Sequence, residues 1–379
     1  MKKICIISHY YPSKEDPYFA FVGTLVEAFA DLGIECHVIT PVSLIEKKHK
    51  GKTRVEVTKK GNHIHVYCPK YMVFPYRHIA GFSTYRLTAA SQRAAIKRAY
   101  RKYIKNCDAA YAHFLDSGIN SMWLGKKVGV PAFVACGECT ITYSKPSYDT
   151  FGKEIYNGFN GVIYVASALK KEVRDLDIIS PEVPSVVLPN SIDTEVFYPR
   201  DKHQCRTKLG VGDEDFIIAF VGGFIERKGF GLLQNILCRH PEWKCILVGS
   251  GDIPIRVPGK QIVFSGRLPH ESIPEIICAA DAFVLPTLAE GCCNAIVEAM
   301  GCGLPIISSD REFNDDILDD TCSLRIDPEN EEEIERAIQN LYTNPEYRNS
   351  LARNAQRKGE KLSIESRAKA ILEFLETNK

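Results

Sequence analysis

No apolar run in this chain of 379 residues approaches the roughly 20 residues that a bilayer-crossing helix needs. A secretory leader is not expected either. The apolar stretch from Ile4 to Ile7, after two lysines, is too short for one and predicts a first β-strand and a cytoplasmic protein. There is no internal repeat and no low-complexity tract, and Gly (26) and Pro (20) stay near average usage. Collagen-like and linker-dominated chains are thereby excluded. Acidic residues are absent from 57–107, a stretch with eleven Lys and Arg.

Hydrophobic residues make up 45% and charged residues 25% of the chain, an ordinary globular balance. At roughly 150 residues per domain the length predicts two domains or slightly more. The net charge of +1 conceals +10 over residues 1–190 and −9 over 191–379. Halves of opposite sign predict domains with different partners. The fourteen cysteines are scattered, and Cys5, Cys36 and Cys245 fall inside apolar strand patterns. They are read as small buried hydrophobes. Cys136-Gly-Glu-Cys139 has the spacing of a metal or redox pair, but no second pair follows at a zinc interval.

Short β-branched runs alternate with helical patterns. Strands are expected at 3–8, 35–40, 64–68, 109–114, 132–136, 162–166 and 186–188. A second series follows at 216–221, 245–248, 262–265, 282–285 and 305–308. Helices are expected at 21–32, 86–105 and 273–280. Continuously apolar strands separated by helices indicate parallel sheets buried on both faces. A single sheet of a dozen strands is improbable, so the α/β chain divides into two Rossmann-like domains. Turn formers cluster between Pro189 and Arg200, and the break is placed there. Residues 363–376 form an amphipathic helix with Ile364, Ala368, Ile371, Leu372 and Leu375 on one stripe and Ser363 as its cap.

Chemistry concentrates in Ala282-Phe-Val-Leu-Pro-Thr-Leu-Ala-Glu290-Gly-Cys-Cys-Asn294-Ala-Ile-Val-Glu298. A buried strand runs into Gly291, and a helix starting near Asn294 aims its free N–H groups at the sheet's carboxyl edge. That is an anion site suited to phosphate. Glu290 and Glu298 flank it, and carboxylates accept hydroxyl hydrogen bonds from an uncharged polyol. A second stretch, Phe216-Ile-Ile-Ala-Phe-Val-Gly222-Gly223-Phe-Ile-Glu-Arg227-Lys228-Gly229, ends a strand in a glycine turn followed by two cations. Lys228 is placed to neutralise a leaving phosphate, where one donor is worth ~2.7–4 kcal/mol. Arg267, past Phe264-Ser-Gly266, is suited to stacking on a base.

The Glu290-to-Glu298 spacing, with Pro286 before it and Glu298-Ala-Met-Gly-Cys-Gly-Leu-Pro305 after it, resembles glycosyltransferase family 4. Ile6-Ile-Ser-His-Tyr-Tyr-Pro12, Val187-Leu-Pro-Asn190-Ser-Ile-Asp193 and Phe264-Ser-Gly266 extend the resemblance over nearly the whole chain. It implies a GT-B fold, two Rossmann-like domains facing each other across a cleft, and retaining, metal-independent transfer. Residues 1–195 would form the acceptor domain, 196–360 the nucleotide-sugar domain, and 361–379 a helix packing back on the first. Glu290 would hold donor-sugar hydroxyls, and the amides of Gly291, Cys292, Cys293 and Asn294 the diphosphate. Glu298 would hold the ribose, and Lys228 the departing diphosphate. The reaction would pass through an oxocarbenium-like front-face displacement. The sequence departs from the family pattern at Gly223, where an Arg is usual, and at Gly137-Glu138, where a His is usual. A third departure is the opening loop Tyr18-Phe-Ala-Phe-Val22, which has no Gly-Gly pair.

His113 and Glu138 are candidate acceptor-side groups at strand ends; a structural role is equally open for both. Asp213-Glu-Asp215 precedes its strand and Asp175-Leu-Asp177 follows a helix, so no catalytic metal is expected. Arg93, Lys97 and Arg101, joined by Arg98, Lys102 and Lys105, predict a cationic helix face. It is either solvated or in peripheral contact with an anionic membrane at its inner face. Tyr67, Tyr71, Phe74, Tyr76, Phe82 and Tyr85 interleave with this charge, but no nucleic-acid motif accompanies them. The expected function is transfer from a nucleotide-diphosphate sugar to a glycan or polyprenyl-linked acceptor, in surface polysaccharide assembly. The alternatives are an idle nucleotide-sugar-binding scaffold subunit and an epimerase or hydrolase of the same fold. The opening loop lacks the G-x-G-x-x-G of a dinucleotide enzyme.

Overall fold

The computed structural model describes residues 1–13, 19–45, 51–139, 141, 145–152 and 156–379; Tyr18 lies outside them. The chain forms two compact units, Met1–Leu188 with Arg367–Lys379, and Pro189–Ser366.

The first unit is built on eight strands: β1 (Lys3–Ile7), β2 (Glu35–Ile39), β3 (Arg54–Val57), β4 (His63–Tyr67), β5 (Ala109–His113), β6 (Ala132–Cys136), β7 (Gly161–Tyr164) and β8 (Ser185–Val187). Their order is β8-β7-β6-β5-β1-β2-β4-β3. The pairings are parallel except for β3, which runs antiparallel to β4. Strands β5 and β6 are buried at every residue, which is why their sequences read as apolar runs, broken only by His113 at the end of β5. Strand order reverses between β1 and β5, so Ser8 and Phe114 leave the sheet at its switch point.

The second unit carries β9 (Phe216–Val221), β10 (Trp243–Val248), β11 (Ile262–Gly266), β12 (Ala282–Leu285), β13 (Ile306–Ser309) and β14 (Ser323–Ile326). All are parallel, in the order β11-β10-β9-β12-β13-β14. The reversal falls between β9 and β12, which pair through Ile218–Ala282 and Ala219–Phe283. Ligands of open α/β sheets bind beyond the carboxyl ends of strands at such a reversal. Gly222 follows β9 and Pro286 follows β12, so both chemistry-bearing stretches leave the sheet there.

Several expectations need correction. The division falls after Leu188 and Ser366 rather than at 195 and 360. Backbone pairing explains this: Ile192 N–H donates to Leu362 O (2.9 Å) and Ile364 N–H to Ile192 O (2.8 Å). Strands β3 and β14 were not anticipated. The helix expected at 86–105 stops at Ala99, and a π-helical turn covers Tyr100–Ile104. That wider turn breaks the four-residue spacing on which one cationic stripe depends. Arg93 is no part of a solvated face. Its guanidinium lies 5.1 Å from the Phe151 ring centre and 5.9 Å from that of Trp123.

The last helix, Ile364–Thr377, begins in the second unit and ends in the first. Ser363 Oγ caps it by accepting the Ser366 N–H at 3.2 Å. Phe374 packs over Gly161, where an added Cβ would stand 2.6 Å from the ring. All fourteen cysteines are free thiols. No helix among the described residues is long and apolar enough to cross a membrane.

Candidate functional site

The loop after β12 and the turn after β9 are joined through the backbone. Leu288 N–H donates to Arg227 O at 2.8 Å. Gly229 has φ +69, and a Cβ there would lie 2.3 Å from Pro286 O. Only glycine permits that approach. A comparable contact supports Gly222, whose carbonyl oxygen would be 1.9 Å from a Cβ on Gly249.

This framework brings three donors onto one carboxylate oxygen. Glu290 Oε1 receives Lys228 Nζ (2.5 Å), Thr287 Oγ1 (2.7 Å) and Arg227 Nη1 (3.2 Å). Arg227 Nη1 also donates to the Ala289 carbonyl. Burial works against the charge on Lys228, but the Cys293 side chain, once a thiolate at high pH, and the Glu290 carboxylate outweigh it, and the ammonium titrates above the usual lysine range. The site thus holds an assured cation at neutral pH. Burial pushes the Cys293 thiol up to about 11, so it stays protonated and is no nucleophile. Its contribution is the backbone.

That backbone opens the helix Asn294–Gly301, which has Cys293 at its N-cap with no capping side chain. The N–H groups of its first turn are free of intrahelical partners. Asn190 steadies the approach by donating Nδ2 to Cys292 O at 2.9 Å. Asn294 Oδ1 is buried with no protein partner. One turn into the helix, Glu298 is buried and pairs with His270 Nε2 at 2.7 Å. Burial opposes the His270 charge, yet Glu298 prevails and the imidazole titrates above its usual value. Arg267 is exposed and donates Nε to Ser250 Oγ at 2.7 Å. Gly223 has open surroundings, since a Cβ there meets nothing nearer than 3.6 Å.

The structure therefore assembles Lys228, Arg227 and Glu290 in one cluster and sets Glu298 with His270 in another. Thr287, His270 and Asn190 were not among the expected site residues. Asn190 stood in a recognised segment, whereas nothing in the sequence marks Thr287 or His270 as partners of a carboxylate.

In the first unit His113 ends β5 fully enclosed, and burial together with the Arg367 charge pushes it down to about 3. It is a neutral imidazole packed edge-on to Tyr111. Glu138 is also enclosed. Its Oε1 accepts the Leu115 N–H at 2.5 Å, so it caps the helix Leu115–Val128, while Oε2 has no protein partner. Burial raises its carboxyl to about 7, against the pull of that N–H. One of the two aspartate pairs is held by basic side chains: Asp213 takes His203 at 2.7 Å, and Asp215 takes Lys244 at 2.7 Å.

Residues 201–358 match the family "Glycosyl transferases group 1". A Bacillus subtilis chain assigned to teichuronic acid biosynthesis as a glycosyltransferase is 27% identical over 330 residues, 81% of either chain. Among solved structures, the Anabaena protein HepE in complex with UDP superposes with a TM-score of 0.76 at 17% identity, over 100% of both chains. Sucrose-phosphate synthase from Thermosynechococcus elongatus gives 0.75 at 18% identity, covering 100% of this chain and 99% of that one.

Proposed function

We propose that this chain, whose residues 201–358 match the group 1 glycosyl transferases and whose fold is GT-B, moves a sugar from a nucleoside diphosphate sugar to a hydroxyl of a glycan or lipid-linked acceptor. The observation that carries the reading is the Lys228–Glu290 cluster beside an uncapped helix N-terminus at the β9/β12 reversal. The first-turn N–H groups of Asn294–Gly301 receive the diphosphate, and Lys228 stabilises it as it departs. Glu290 takes sugar hydroxyls and Glu298 the ribose. Arg227, which reaches the same Glu290 oxygen as Lys228, supplies the second cation that Gly223 does not, while Gly222 and Gly223 let the ligand approach the backbone. Arg267 flanks the base. Cations and amides supply the neutralisation, so transfer needs no metal; retention is what the resemblance to glycosyltransferase family 4 implies.

The relative in teichuronic acid biosynthesis supports a role in surface polysaccharide assembly. In this reading the first unit receives the acceptor, with His113 and Glu138 enclosed behind the strand ends on that side and an anionic membrane as the setting at the inner face of the cell membrane. Release of sugar from a radiolabelled panel of nucleotide sugars, with and without lipid-linked glycan, tests the reading. Turnover of one donor supports it. Tight binding without turnover of any donor would replace it with a scaffold subunit.

A further inference from the structure

Residues 72–87 of the first unit expose six large apolar side chains that the glycosyl-transfer site does not use. Met72 is 53% exposed, Val73 37%, Tyr76 44%, Ile79 60%, Phe82 44% and Leu87 43%. Scattered exposed hydrophobes are ordinary, but a contiguous group marks a contact surface.

The segment is held in shape. His78–Ile79 and Phe82–Ser83 pair antiparallel. Ala80 and Gly81, with φ +48 and +79, make the tight turn whose twist suits a two-residue hairpin. Three hydroxyls along the following helix, Tyr85–Ala99, and its cap bind the segment's backbone. Thr84 Oγ1 accepts Arg77 N–H, Thr88 Oγ1 accepts Phe74 N–H and Ser91 Oγ accepts Met72 N–H, each at 2.9 Å. Ser83 Oγ shares a buried 2.8 Å hydrogen bond with Thr150 Oγ1 at the hairpin's base. The segment's backbone is thus tied down from below at Met72, Phe74 and Arg77, and the apolar side chains of Ile79 and Phe82 are left at the tip. A backbone whose polar groups are already paired is what a poorly hydrated lipid interface requires.

Charge selects the occupant. Lys70, Arg77 and Arg86 are exposed along the same stretch of chain, Arg86 with Nη2 on the Thr150 carbonyl at 2.8 Å, and no acid occurs between Glu56 and Asp108. Asp149, brought alongside by the fold, accepts the Tyr76 hydroxyl at 3.4 Å. Apolar tips accompanied by cations match the boundary between headgroups and acyl chains of an anionic bilayer.

We propose that the hairpin from Arg77 to Ser83 is a membrane-inserting element that docks the first unit on anionic lipid, with Ile79 and Phe82 entering the interface. The cationic helix surface beyond Ala99 then adds only screened attraction. This rests on the glycosyl-transfer reading for its purpose, access to a lipid-linked acceptor, but not for its test. The full chain is mixed with vesicles of phosphatidylcholine and phosphatidylglycerol, without donor or acceptor. A Phe82→Trp variant should shift its emission to the blue and be quenched by brominated lipid. An Ile79→Asp/Phe82→Asp variant should bind vesicles at least ~10-fold more weakly, with unchanged circular dichroism and unchanged donor hydrolysis in the absence of lipid. Vesicle binding indifferent to the double variant overturns the proposal. So does a wild-type dimer in light scattering that the double variant dissolves while vesicle binding is absent, because the patch then covers a second copy. Failure of donor hydrolysis with hairpin-dependent vesicle binding intact would overturn the catalytic reading and support this one.

Discussion

Lys228 Nζ lies 2.5 Å from Glu290 Oε1, and both side chains are largely withdrawn from solvent. The residue meant to meet the leaving phosphate and the residue meant to meet the sugar are thus partners before any ligand arrives. Binding must share out the Lys228 protons between Glu290 and the incoming diphosphate. A preset cation of this kind stabilises the departing group with little reorganisation.

Removing either partner should therefore affect both functions unequally. Lys228→Met should cut turnover by about 10²–10³. Glu290→Gln should cut turnover with a smaller loss of affinity for the free nucleoside diphosphate. The double variant should be less damaging than the product of the single effects, because the groups are in contact. Glu298→Ala should instead weaken nucleotide binding. Calorimetric titration beside turnover measurements checks this, and equal loss of affinity at Glu290 and Glu298 would refute the division of roles.

The glycines around β9 should respond differently to added side chains. Gly223→Arg has room at its Cβ and restores a cation close to the site, so the variant should fold normally and bind nucleoside diphosphate more tightly. Gly249→Ala would drive a Cβ into Gly222 O, and Gly229→Ala one into Pro286 O; both should lower the melting temperature. Melting curves with and without nucleotide separate the two classes.

A stability effect of His270 should appear with pH. Its folded pKa is raised by Glu298 despite burial, above an unfolded value near about 6.5. A raised pKa means the folded state holds the proton more tightly. The contribution is complete below the unfolded value and fades as pH rises through the folded one. The melting temperature of the wild type should therefore fall towards that of His270→Gln across this window. His240, whose pKa is also raised, affects both proteins alike. A difference between the two that stays constant with pH would contradict the pairing.

Chelation should leave turnover intact. The diphosphate is assigned to amides and Lys228, so EDTA has nothing to remove. Loss of activity that a divalent ion restores would mean that a metal carries the neutralisation given to Lys228.

Much of this architecture was legible because burial on both faces leaves a plain trace. Ala132–Cys136, Phe216–Val221 and Ala282–Leu285 were read with the observed bounds, each continuously apolar and followed by a turn. Strand β3 was not, because it lies at an edge where Val55 and Val57 face solvent beside Arg54 and Glu56. Strand β14 is short and interrupted by Arg325. The carboxylates and Lys228 were legible from spacing after strand ends. The pairing of His270 with Glu298 was not, since 28 residues separate them and only the fold brings them together. Arg93 misled because helical spacing cannot reveal a π-turn downstream or aromatic rings arriving from other segments.

The path of the last helix has a consequence for synthesis. The second unit is a continuous segment, Pro189–Ser366, inserted between the body of the first unit and its final element. On the ribosome the second unit can be completed while the first still lacks the residues that cover Gly161 and Phe133. At about 5–20 residues per second, that interval lasts roughly 10–35 s. The nascent first unit must keep an apolar seat empty throughout, until Phe374 arrives to cover Gly161 and Phe133.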